Sequence, residues 1–106
     1  MQTVVETPLY LKSAVSLFSI EEREAIVNMV ASDPECGDLI PGTGGFRKVR
    51  VGRGGRGKRG GGRVIYIPVF LIAAYAKNEK VNLTRAERNE LAKLANTIFT
   101  RNRSES

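Results

Sequence analysis

The sequence predicts an α+β fold: a small antiparallel β-sheet with N-terminal helices and one C-terminal helix packed on one face. Three observations predict it. Helix-capping signals mark the first third and the last quarter of the chain. Period-two apolar patterning fills the middle. The order is helices, then strands, then a helix. At 106 residues and 42% hydrophobic composition, the chain is expected to form a single domain, 1–106, around one modest core.

Thr3 to Glu6 reads as a short strand or lead-in. Thr7-Pro8 is an N-cap followed by Pro at the first helical position, which opens a short helix to about Leu17. Ser19-Ile20-Glu21-Glu22 is a capping box. The helix it starts carries Ile26, Met29 and Val30 on one face and ends at Asp33-Pro34, because Pro disfavours helix in the residue before it. Gly37-Asp38 and Pro41 to Gly45 read as loop. Phe46 to Val51 alternates, with Lys48 and Arg50 on one face and Val49 and Val51 on the other. Gly52 to Gly62 is too rich in glycine for regular structure. Arg63 to Ile67 is a second strand. Phe70 to Ala76 is a third, and its apolar content suggests a central place. Thr84-Arg85-Ala86-Glu87 is another capping box, and the last helix runs to about Arg101 with Leu91, Leu94, Ala95 and Ile98 at helical spacing.

The charge is concentrated. Of 17 Lys and Arg, eight lie between Arg47 and Arg63, where no acidic residue occurs, although the chain holds 11. The rest of the protein is slightly acidic. Ten of the 11 glycines lie between Gly42 and Gly62, in the same strip. Such a segment attracts polyanions by counterion release; the plainer reading is a solvated charged loop.

Other classes are excluded. With no His, there is no Ser-His-Asp triad and no His-ligated zinc; one Cys allows neither an internal disulfide nor a Cys cluster for metal. Cys36 reads as a reduced thiol in a cytosolic protein. The start MQTVVETPLYLK lacks the apolar stretch of a secretory signal. The apolar run Ile67 to Ala76 is half a membrane span, so no membrane contact is expected. Gly52 to Gly57 fits G-x-G-x-x-G, but Gly60 to Gly62 follow where a dinucleotide site needs a helix. A P-loop would need Ser or Thr after Lys58, and Arg59 stands there. The Arg-Gly-Gly-Arg-Gly run resembles RNA-binding RGG segments, yet it is short and lies between strands, as a basic hairpin tip would.

A stronger constellation spans three strands. Lys48 and Arg50 share a face, Arg63 begins the next strand, and Tyr75 and Lys77 alternate onto one side of the third. If these strands are neighbours, four cations converge on one sheet surface as a phosphate clamp. Otherwise they solvate the open face of the sheet.

The segments Pro41 to Arg50, Arg56 to Tyr66 and Tyr75 to Lys80, preceded by Asp33-Pro34 and Gly37 to Ile40, resemble the RelE/ParE superfamily of toxins and within it the HigB-like branch. The resemblance covers roughly residues 19 to 95. It implies the toxic half of a type II toxin–antitoxin pair, bacterial or archaeal and cytoplasmic, with a compact α+β fold. It implies a ribosome-dependent endoribonuclease that cuts messenger RNA in the A site without a metal or small-molecule cofactor. The partners implied are messenger RNA, the ribosome and a cognate antitoxin that covers or distorts the basic surface. On the matching positions, Lys48, Arg50, Arg63 and Lys77 are the catalytic cations. Arg47, Arg53, Arg56, Lys58 and Arg59 are read as RNA- or ribosome-binding, with Tyr75 or Tyr66 stacking on a base and core packing expected of at least one of the two.

Family members usually have a longer hairpin between the second and third strands; here eight residues separate Tyr66 from Tyr75. Either the hairpin is short, turning at Pro68-Val69 with Ile67 opposite Phe70 and Arg63 opposite Ala74, or the third strand is displaced, or the chain lacks a loop of the natural protein. Pro-Val is a poor hairpin turn, because primed turns want positive φ.

Metal-free RNA cleavage uses the ribose 2′-hydroxyl as nucleophile. With no His, the proton carriers must come from Lys, Tyr, Glu, Asp, the RNA or the ribosome. Neighbouring cations make Lys48 or Lys77 a conceivable base, while Arg63 and then Arg50 suit the electrostatic role. Two alternatives stand beside this reading: a ParE-type toxin that poisons DNA gyrase, and a non-catalytic nucleic-acid- or ribosome-binding module descended from a toxin.

Overall fold

The computed structural model describes residues 3–54, 61–79 and 84–104, with side chains described through residue 98. Its elements are β1 (Val5–Glu6), α1 (Pro8–Leu17), α2 (Ile20–Ser32), β2 (Asp38–Leu39), β3 (Arg47–Val51), β4 (Gly62–Ile67), β5 (Phe70–Ala76) and α3 (Arg85–Ser104). The class is α+β. One five-stranded sheet has the order β1-β5-β4-β3-β2.

The helices begin where their capping residues dictate. The Thr7 hydroxyl accepts from the Tyr10 amide and donates to the Leu71 carbonyl, while the Thr7 amide also donates to Leu71. One residue thus caps α1 and ties it to β5. Ser19 and Glu22 form the reciprocal capping box of α2, and Thr84 and Glu87 form that of α3.

Several details differ from the sequence expectation. The sheet is mixed: β1 runs parallel to β5, and the other pairings are antiparallel. Asp38, expected in a loop, and Leu39 pair with Lys48 and Arg47 as β2. The central strand is β4, not β5. Helix α3 packs on the face opposite α1 and α2, whereas the expectation placed the helices on one face. Val64, Tyr66, Val49, Val51 and Leu71 pack with Tyr10 and Ala14 of α1, Ile26 and Val30 of α2, and Phe18 between them. Ile65, Ile67, Ile72 and Phe46 pack with Ala95, Leu91 and Ile98 of α3. The cause is the unbroken apolar run Val64-Ile65-Tyr66-Ile67: a strand apolar on both sides needs cover on both. Leu94, set at helical spacing with Leu91, Ala95 and Ile98, is 36% exposed.

The β4–β5 hairpin is short and complete. It turns over Pro68 and Val69, whose shared peptide is cis, with Ile67 opposite Phe70. The turn and the Ile67–Phe70 pair are those of the short reading, and beyond them the third strand is displaced by one residue. The register then shifts: Tyr66 faces Leu71, but Ile65 faces Ala73, so Ile72 is an extra residue on β5. This β-bulge makes Arg63 the partner of Tyr75, not of Ala74.

Among the described residues, no helix is long and apolar enough to cross a membrane.

Candidate nucleic-acid interface

Side chains opposite one another across a sheet lie on the same face. Arg50 pairs with Arg63, and Arg63 pairs with Tyr75. Lys48 lies two residues before Arg50 and opposite Ile65. Lys48, Arg50, Arg63 and Tyr75 therefore share the α3 side of the sheet. Tyr75 also packs toward α3, and farther along this face Ile65, Ile67 and Ile72 pack with the helix. Arg50 is exposed, and Lys48, Arg63 and Tyr75 are half-buried.

Lys77 follows β5 directly. Its amide donates to the Gly61 carbonyl at 3.1 Å, which continues the ladder one pair past Gly62 and Ala76. That places Lys77 at the same end of the sheet as Arg63, on an exposed turn. The turn is held twice: the Glu79 amide donates to the Ala76 carbonyl at 3.0 Å, and Glu79 Oε1 accepts from the Ala76 amide at 2.7 Å.

The glycines of this region are fixed by close approach. A Cβ on Gly62 would fall 2.7 Å from the Phe18 ring, and one on Gly61 would fall 2.9 Å from the Arg53 Cβ. The chain can thus enter and leave the glycine-rich segment side by side, at the edge of the cationic face. Arg63 donates from Nη1 to the Gly62 carbonyl at 3.0 Å, an orientation that keeps its guanidinium at this end of the strand.

Of the residues assigned to RNA contact, Tyr75 lies on the cationic face. Arg53 is half-buried against Gly61, with its Nε enclosed and unpaired among the described residues. Arg47 lies on the other face. It sits opposite Tyr66, and its guanidinium donates to the Gly37 carbonyl at 2.7 Å and the Glu35 carbonyl at 3.3 Å, with the Glu35 carboxylate 4.0 Å away. Those bonds brace the turn after α2. The alternation that put Lys48 and Arg50 together already puts Arg47 with Val49, so the signal was present in the sequence. Arg56, Lys58 and Arg59 lie outside the described residues.

Tyr66 is core, as expected of one of the two tyrosines. Its hydroxyl donates to the Pro34 carbonyl at 2.8 Å and accepts from the Gly37 amide at 2.9 Å, with Cys36 Sγ at 3.5 Å. Burial, followed by the Cys36 contact, raises its pKa well above the ordinary tyrosine value. Cys36 thus belongs to a structural hub that also holds the chain entering β2.

The resulting surface presents two guanidinium groups, two ammonium groups and one phenol ring at one end of a sheet. Cations from three separate stretches of backbone suit a polyanion whose charges lie close together. No protein-family model matches the chain.

Proposed function

We propose that this protein is the toxin of a type II toxin–antitoxin system, a cytoplasmic, ribosome-dependent endoribonuclease that cuts messenger RNA in the A site. One observation carries the reading: strand register brings Arg50, Arg63 and Tyr75 abreast, with Lys48 and Lys77 beside them. The sequence resemblance to the HigB-like branch supports the same assignment for the same residues.

In this mechanism the ribose 2′-oxygen attacks the adjacent phosphorus while a base removes its proton. The bond to the 5′-oxygen breaks, an acid protonates that oxygen, and a 2′,3′-cyclic phosphate and a 5′-hydroxyl remain. The attacking group belongs to the substrate, so the protein supplies charge, orientation and proton transfer. Arg63 and Arg50 stay charged and stabilise the phosphorane oxygens. Lys48 and Lys77 carry protons at the same surface, where no imidazole is available. Tyr75, beside Arg63, offers a ring for a nucleobase. A cognate antitoxin silences the protein by covering or distorting this surface.

The test is a translating extract supplied with a defined messenger. Cleavage within codons, seen by primer extension and absent without ribosomes, supports the reading. Broken DNA and an SOS response on induction in cells would make the protein a gyrase poison instead. Binding to ribosomes or RNA without cutting would make it a non-catalytic module.

A further inference from the structure

The outer face of α1 is unusual for a surface helix. Leu9 and Val15 are 60% and 61% exposed, and the exposed Lys12 lies between them on the same side of the helix. A groove of about 650 Å³ runs between α3 and β5, lined by Ile72, Ala73, Tyr75, Leu91, Leu94 and Leu9 itself. Among the described residues, the charged groups that line it are both acidic, Glu87 and Glu90. Glu87 is engaged in the capping box of α3. Glu90 has a surface pair with Lys93 at 3.6 Å, a contact exposed enough to exchange at little cost.

We infer that a second copy of this chain occupies the groove at Leu91 and Leu94, in a two-fold dimer that leaves the Tyr75 ring to the cationic face. Leu9 and Val15 of each copy enter the groove of the other against Leu91 and Leu94, and Lys12 of each copy meets Glu90 of the other. Charge complementarity selects this occupant: an apolar helix face with one cation meets an apolar groove with an acidic rim. Because Leu9 belongs to both the helix face and the groove, the two patches are continuous. A two-fold axis near Leu9 then uses each patch once and closes the assembly. The helix-in-groove contact is made twice, which helps the interface toward the roughly 1,200 Å² that specific complexes bury. Two copies with a net charge of +6 each repel at long range, so the paired Lys12–Glu90 contacts also set the orientation.

Light scattering on the full chain, over a roughly hundredfold concentration range, tests this. The dimer mass is expected at the top of the range and the monomer mass at the bottom. Leu9→Glu is expected to be monomeric throughout with unchanged circular dichroism and melting temperature, since the side chain is exposed. Lys12→Glu and Glu90→Lys should each weaken the dimer roughly tenfold, and the two together should restore it. A wild-type chain that stays monomeric at the top of the range overturns the inference. So does a Leu9→Glu chain that dimerises as the wild type does, or a double charge exchange no tighter than either single change.

Discussion

Arg63 stands directly opposite Tyr75 because β5 carries one more residue than β4 between the hairpin turn and that point. Were Ile72 paired regularly instead of bulged, the two-residue turn would set Arg63 against Ala74, and Tyr75 would point to the opposite face with Leu71. The bulge therefore decides which chemistry the sheet end presents. It also lets Ile72 and Ala73 both lie on the α3 side, where they pack with Ile65 and Ala95.

The register predicts a cross-linking result. In a Cys36→Ser background, cysteines at positions 63 and 75 should oxidise to an intramolecular disulfide, because directly paired residues lie within disulfide range. Cysteines at 63 and 74 should not, since their side chains leave opposite faces. Mass spectrometry under mild oxidation distinguishes the pairs.

Arg63→Ala should leave the fold intact and slow messenger cleavage by roughly 10²- to 10³-fold, the usual effect of losing one preorganised donor to a developing negative charge. Arg63→Lys keeps the charge but loses the planar fork, so it should fall between the two. Single-turnover cleavage on ribosomes measures both. Unchanged rates would remove Arg63 from the mechanism.

The two buried tyrosines should respond differently to loss of the hydroxyl. Tyr66→Phe strands the buried Gly37 amide and removes the donor to Pro34, so it should cost about 1–3 kcal/mol. The melting temperature should drop by roughly 4–8 °C for each kcal/mol lost. The Tyr10 hydroxyl is buried without a hydrogen-bond partner among the described residues, so Tyr10→Phe should be close to neutral at pH 7. Tyr10 also shapes the alkaline stability. Burial, with the Glu6 carboxylate nearby, pushes the Tyr10 pKa from 10.0 up to about 12. The unfolded chain thus loses this proton first. The stability the neutral phenol contributes is intact below pH 10.0 and is lost as pH rises toward about 12. Tyr10→Phe should reduce the fall in melting temperature across that window.

Gly62→Ala should destabilise the protein by about 1–3 kcal/mol, because its methyl group would meet the Phe18 ring at 2.7 Å and Val51 Cγ2 at 3.2 Å in a filled core. Urea denaturation of the pure chain measures it. A neutral result would mean that Phe18 is free to move.

The sequence reveals local devices better than register. Thr7-Pro8, Ser19 to Glu22 and Thr84 to Glu87 each act through hydrogen bonds spanning three residues, so the helix starts were legible. The spans of β3, β4 and β5 were legible within a residue because apolar patterning follows the strand period. The sidedness of α3 was written in the apolar run of β4, whose two faces both needed cover. The bulge at Ile72 was hidden, because it exists only in the relation between two strands and β-branched residues fit either register. The face on which Arg47 lies follows from parity, whereas its bonds to Gly37 and Glu35 depend on the path of the chain after α2. The groove beside Leu9 was hidden as well: it depends on where α1 and α3 lie relative to β5, which no single periodicity encodes.

The most direct measurement is the salt dependence of RNA binding by single alanine variants. Arg50→Ala, Arg63→Ala and Lys48→Ala should each lower the slope of log affinity against log salt by about 0.7, one single-strand phosphate contact apiece. Arg47→Ala should leave it unchanged, because Arg47 lies on the opposite face with its guanidinium held by Gly37 and Glu35. Equal slopes for all four variants, or the largest change from Arg47→Ala, would contradict a cationic face assembled from three strands.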